Sequence, residues 1–219
     1  MYGKTKGLFQ PSEASNVLRY FFGGGHPSQV CSAKILSHEK EKKLESFLQA
    51  SYAVYNRPLI IKNAWNCFRL KYLTNTFPHS YFVWVRRDLL ASAKSDLNAR
   101  YITKGDKNAW NSATPANYKE LKKRHYCEQV VEHQYEFAKA IKGEWNKRFI
   151  EVWYDEFCLN PQDVLLRIGR HCRLSSGSFN NHFQVNSSCE EDNVLSDQEI
   201  LAIKNYIRDD IDRFRDMVR

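Results

Sequence analysis

Three short runs in this chain end in residues able to hold an anion. The "LII" at 59 to 61 is followed by Lys62, and "YFVWV" at 81 to 85 by Arg86, Arg87 and Asp88. The run "FIEVWY" at 149 to 154 ends in Tyr154, with Asp155 next. Ser92 and Ser95 lie close behind the arginines. Guanidinium groups, hydroxyls and the free N–H groups of a helix N-terminus all donate to phosphate or sulfate oxygens. Arg87 and Ser95 are eight residues apart, so if a turn and about two helical turns separate them, Ser95 faces back toward the same edge. The same residues also fit a salt-bridged Arg87–Asp88 turn with Ser95 packed away, and spacing alone does not separate the two readings.

Those positions matter only if strands and helices carry them. "SYFVWV" at 80 to 85 is the most strand-like segment, and "RRDLLASAKSDLNARY" after it has helical periodicity and strong helix formers. "LII" reads as a buried strand ending at Lys62, and "RFIEVWY" at 148 to 154 as a third strand. Ser12 is placed to cap a helix that carries Leu18, Phe21 and Phe22 and is ended by Gly23, Gly24 and Gly25. A surface helix is expected over 39 to 55, with Leu44, Phe47 and Leu48 on one face. Another runs from about 66 to 77, stopped by Pro78. A long, mostly exposed helix follows at 117 to 142, and a further one starts at Pro161. After a Ser- and Asn-rich loop at 175 to 195, Ser196 caps a final amphipathic helix. Alternating strands and helices point to an α/β domain with a mainly parallel sheet, whose ligands sit outside the carboxyl ends of the strands.

The block "KNAWNCFRLKYLTNTFPHSYFVWVRRDLLASAKSDLNAR" resembles the central block of the sulfotransferase family, in which a strand preceded by "FP" ends in an Arg-Asp turn and a serine follows eight residues after the arginine. "FIEVWYDEFCLNPQDVLLRI" is similar to the family's strand ending in Tyr-Glu, followed by a loop, a proline and a helix. The similar stretches cover about two thirds of the chain and look closest to the branch containing tyrosylprotein sulfotransferases and bacterial carbohydrate or small-molecule sulfotransferases. The resemblance implies a P-loop-like parallel sheet flanked by helices, and 3′-phosphoadenosine-5′-phosphosulfate (PAPS) as sulfuryl donor, leaving as 3′,5′-adenosine bisphosphate (PAP). By the family pattern Arg87 and Ser95 hold the 3′-phosphate, with Arg86 the adjacent cation and Tyr154 part of the cofactor set. Lys62 matches the lysine that assists the leaving phosphate or the sulfuryl group, although "KNAW" lacks the usual nearby proline. Glu13, in "PSEAS", matches the acid that takes the acceptor's proton.

One family element has no match. The Arg/Lys-Ser-Gly-Thr turn that binds the 5′-phosphosulfate does not occur, and the triple glycine at 23 to 25 lies after Glu13 rather than before it. Only twelve residues precede Glu13, too few for a strand, that loop and a helix. The sequence therefore reads as a single domain over 1 to 219, N-terminally incomplete and lacking the first strand and phosphosulfate loop. Two functions stay open: a sulfotransferase acting on a hydroxyl of a carbohydrate, peptide or small molecule, or a non-catalytic remnant that keeps a nucleotide-phosphate pocket.

Composition narrows the rest. A net charge of +8 over 219 residues favours anionic partners. A nucleic-acid reader is disfavoured, since the aromatics of "YFVWV" and "VWY" fall in strands expected to be buried. No apolar run approaches the ~20 residues of a membrane helix, and the N-terminus lacks a secretory apolar core, so a cytoplasmic location is expected. The six cysteines show no C-x-x-C pair and no histidine at metal-ligand spacing. No metal is expected, and the thiols read as reduced. The region 104 to 117, with Trp110, is a candidate lining for the acceptor, and Ser187 or Ser188 a candidate to approach the cofactor. Oligomeric state is not readable.

Overall fold

The computed structural model describes residues 15–23, 36–56, 58–174 and 194–219. Glu13, Ser12, Ser187 and Ser188 lie outside them. The first helix, α1 (Ser15–Phe22), ends at Gly23, whose φ of 67° lies in the left-handed region that glycine adopts without penalty. Next comes α2 (His38–Tyr55), with the Ser37 hydroxyl accepting from the Lys40 N–H. Leu44 is buried and Leu48 packs with it against Leu18, Phe21, Phe22 and Tyr72, while Phe47 and Tyr55 are exposed. A 3-10 turn (Ala64–Arg69) runs into α3 (Leu70–Thr76), which stops at Phe77 ahead of Pro78 as expected.

The sheet comprises β1 (Phe82–Arg86) and β2 (Phe149–Trp153), paired parallel with Phe82 opposite Phe149 and Arg86 opposite Trp153. Between them run α4 (Leu89–Lys104), α5 (Tyr118–Leu121) and α6 (Tyr126–Gly143). After β2 come α7 (Tyr154–Leu159) and α8 (Pro161–His171), with proline in its first turn. The C-terminal part is α9 (Asp197–Asp209), α10 (Ile211–Phe214) and a 3-10 turn over Arg215–Met217. This mostly helical chain around a small parallel sheet is compatible with an α/β sulfotransferase fold. Among the described residues no helix is long and apolar enough to cross a membrane.

The main core lies between α4, α6 and α9. Leu89, Ala93 and Leu97 repeat every four residues on one face of α4 and meet Val130 and Val131 of α6 and Ile203 and Ile207 of α9. Phe214 closes the cluster from α10. A second cluster, Leu70, Ile141 and Phe149, backs the sheet, where the Phe82 and Phe149 rings stack at 4.6 Å.

Three expectations need correction. "LII" is not a strand: residues 58–63 form no regular element, and Leu59 and Ile60 are 47% and 85% exposed. A run of three apolar residues next to a proline needs a neighbouring strand to hold it extended, and among the described residues none pairs with it. The expected helix over 117 to 142 breaks at 122–125, where His125 caps the second piece by accepting from the Cys127 N–H through Nδ1. Its polar residues also mislead about exposure, because Gln129, Glu132 and His133 are all buried. Glu132 takes both guanidinium nitrogens of Arg213, at 2.8 and 2.6 Å, and the Tyr206 hydroxyl at 2.6 Å. A buried charge satisfied this fully behaves as core, not surface. The stretch after β2, expected as a loop, coils into α7.

Candidate functional site

Parallel pairing brings the two strand ends side by side. With Arg86 opposite Trp153, the next residues outward are Arg87 and Tyr154, and the Arg87 guanidinium lies 5.4 Å from the Tyr154 ring centroid. Arg87 is exposed and Tyr154 is partly so. The Arg87 side chain is thus exposed with its guanidinium near an aromatic ring face, a contact that steadies it.

The adjacent arginine is differently employed. Arg86 keeps only 10% of its side chain exposed and pairs with Glu151, the residue two before Trp153 on the same sheet face. It also donates to the backbone carbonyl of Asp216. Its guanidinium lies between two indoles, 4.5 Å from Trp84 and 4.4 Å from Trp153. Arg86 is the last residue of β1 and Arg87 the first beyond it, where the chain turns toward α4. One is a brace and the other an exposed cation.

Asp88 N-caps α4, its Oδ1 accepting from the Ala91 N–H at 3.1 Å, while Oδ2 accepts from the Arg219 N–H at 3.1 Å. The Ser92 hydroxyl reaches the Arg87 carbonyl at 3.5 Å. The first turn of α4 is thus partly satisfied from within, and an anion beside Asp88 depends on Arg87 and hydroxyls more than on free helix N–H groups. Ser95, half-buried, sits two turns into α4. Lys62 is exposed, ahead of the Asn63 cap of the 3-10 turn, in the stretch that is not a strand. It therefore does not occupy a sheet-edge position. Trp110, expected to line an acceptor pocket, is buried, its indole N–H donating to the Ala113 carbonyl at 3.2 Å.

Two groups of residues at or beside this site carried no sequence signal. The Arg219 guanidinium stacks 4.8 Å from Trp153, closing the strand ends from the far end of the chain. Behind Ser95 lies a buried polar cluster of Asp96, Arg100, Gln129 and His133. Among the described residues no group of side chains is arranged to hold a metal, and Cys127, Cys158 and Cys172 are free thiols.

In open α/β sheets ligands sit outside the carboxyl ends of the strands, which is where Arg87 and Tyr154 lie. The model of the sulfotransferase family matches residues 21–177, more than half of the chain and spanning both strand ends, and the chain belongs to that family. No curated protein and no solved structure matches it.

Proposed function

We propose that this protein binds PAPS, with Arg87 and Ser95 on the 3′-phosphate, and transfers its sulfuryl group to an acceptor hydroxyl. The observation that carries the reading is the exposed Arg87 at the end of β1, directly before the capped helix with Ser95, in a chain of a family whose chemistry is sulfuryl transfer. Tyr154 supports Arg87 through its ring face and offers an aromatic surface for the bound nucleotide. Arg86, committed to Glu151 and the sheet indoles, contributes by holding the turn rather than by touching phosphate. The acceptor oxygen attacks sulfur in line, the bond from sulfur to the bridging oxygen breaks, and PAP leaves with that electron pair. Such a step needs a base for the hydroxyl proton and a cation for the departing charge. Glu13 and Lys62 are the candidates for these roles, on the family pattern.

The test is to incubate the protein with PAPS and a panel of acceptors (a sugar, a tyrosine peptide, a phenol) and to measure the PAP released. The reading expects release that depends on an acceptor and falls at least about tenfold in Arg87→Ala, the scale of one lost charged contact. Release indifferent to both Arg87→Ala and Ser95→Ala would contradict it.

A further inference from the structure

We infer that His133, together with Asp96, is the positioning residue for Ser95, fixing the rotation of α4 so that the serine hydroxyl faces the site. The inference rests on the 3′-phosphate reading above. Asp96 follows Ser95 directly, and consecutive side chains on a helix project about 100° apart. Any turn of α4 about its axis that frees Asp96 therefore swings Ser95 by the same angle.

Asp96 is held from several directions. Its Oδ2 lies 3.0 Å from His133 Nδ1 on α6, and Arg100 reaches it with Nε and Nη2, each at 3.5 Å. Arg100, fully buried, also donates to Gln129 Oε1 at 3.0 Å and lies 4.8 Å from the Trp110 ring. Gln129 extends the network, donating to the Arg124 carbonyl at 2.8 Å. On its other side His133 Nε2 lies 2.7 Å from the Ala113 carbonyl, which also receives the Trp110 indole N–H. A carbonyl only accepts, so Nε2 donates. Although burial alone would raise it, Arg100 and His133 keep the Asp96 carboxyl below its ordinary value. Nδ1 and the Asp96 carboxyl are hydrogen-bonded whichever of the two holds the proton between them. One imidazole thereby ties together α4, α6 and the 105–117 loop.

Burying an arginine, a carboxylate and an imidazole together adds little to stability, since an apolar core of similar volume serves as well or better. What such a network supplies is a single arrangement, because any shift leaves a buried polar group without its partner. Here the arrangement defined is the rotational setting of the helix next to the phosphate-binding arginine.

A double-mutant cycle with Ser95 separates positioning from general support. PAP affinity is measured by calorimetry for wild type, His133→Phe, Ser95→Ala and the double variant, with adenosine 5′-monophosphate as the control ligand lacking the 3′-phosphate. The expected result is an about tenfold loss of PAP affinity in His133→Phe, the scale of a strong coupling between neighbours. Affinity for the monophosphate stays as in wild type, and PAP affinity falls no further when His133→Phe is added to Ser95→Ala. If the phenylalanine variant melts below the assay temperature, His133→Gln, whose amide N–H reaches one of the two acceptors, takes its place with the same pattern expected. Equal losses for the two nucleotides, or losses that add fully to that of Ser95→Ala, would overturn the inference. Wild-type protein that binds no PAP would instead remove the 3′-phosphate reading, and this inference with it.

Discussion

Arg86→Ala and Arg87→Ala, one residue apart, should have opposite consequences. Arg86 makes charged hydrogen bonds to Glu151 and to the Asp216 carbonyl and lies against two indoles. Glu151 is about a third exposed and recovers some hydration when left alone, so each hydrogen bond is taken at about 1 kcal/mol. Two partly buried cation–π contacts at about 0.5 kcal/mol each bring the loss to about 3 kcal/mol. For a chain of this size that corresponds to a melting temperature lower by roughly 6–12 °C. Arg87→Ala, at an exposed position, should move the melting temperature by less than about 2 °C while removing anion affinity. The assay is a pair of thermal melts by circular dichroism with matched wild-type protein. If Arg86→Ala melts with wild type, or Arg87→Ala loses as much as Arg86→Ala, the division into a brace and an exposed cation is wrong.

Other expectations follow from the core and from titration. Leu97→Ala opens a cavity in the fully buried seam between α4, α6 and α9 and should cost about 3 kcal/mol, read as a lower urea midpoint with an unchanged slope. Glu199, whose carboxyl burial alone would raise, is held down to about 2 by Lys107, the Ser196 backbone N–H and Tyr126. In the unfolded chain it returns toward 4.5, so the unfolded state binds the extra proton. Its stabilisation is complete above about pH 4.5 and drains away as pH falls toward 2. Urea midpoints measured across that window should fall steeply for wild type and less steeply for Glu199→Gln, and parallel slopes would refute the assignment.

Elements with strong local patterns are legible in the amino-acid sequence itself. β1 announces itself by "FVWV" between Pro78 and a charged turn, and α9 by Ser196 and Glu199 at the spacing of a reciprocal cap, both of whose bonds form. The Arg87–Ser95 pair is visible because both residues sit on one local strand–turn–helix unit. What local pattern does not carry is who supplies the partner. The family pattern singles out Arg87, but that Arg86 is committed elsewhere shows only in the sheet pairing that sets Glu151 and Trp153 beside it. His133 sits in a helix whose charges suggest exposure and becomes core because Asp96 and Ala113, 37 and 20 residues away, hydrogen-bond its two ring nitrogens. "LII" fails for the converse reason, being strand-like in composition with no paired neighbour among the described residues.

The most direct test of the central claim is calorimetric titration of folded protein with PAP, for wild type, Arg87→Ala and Ser95→Ala. The account predicts that wild type binds, that each substitution weakens binding by about tenfold or more with the melting temperature little changed, and that adenosine 5′-monophosphate binds distinctly more weakly than PAP. Folded wild-type protein that does not bind PAP, or that binds it equally well in both variants, would contradict the assignment of the β1–α4 turn as the 3′-phosphate site.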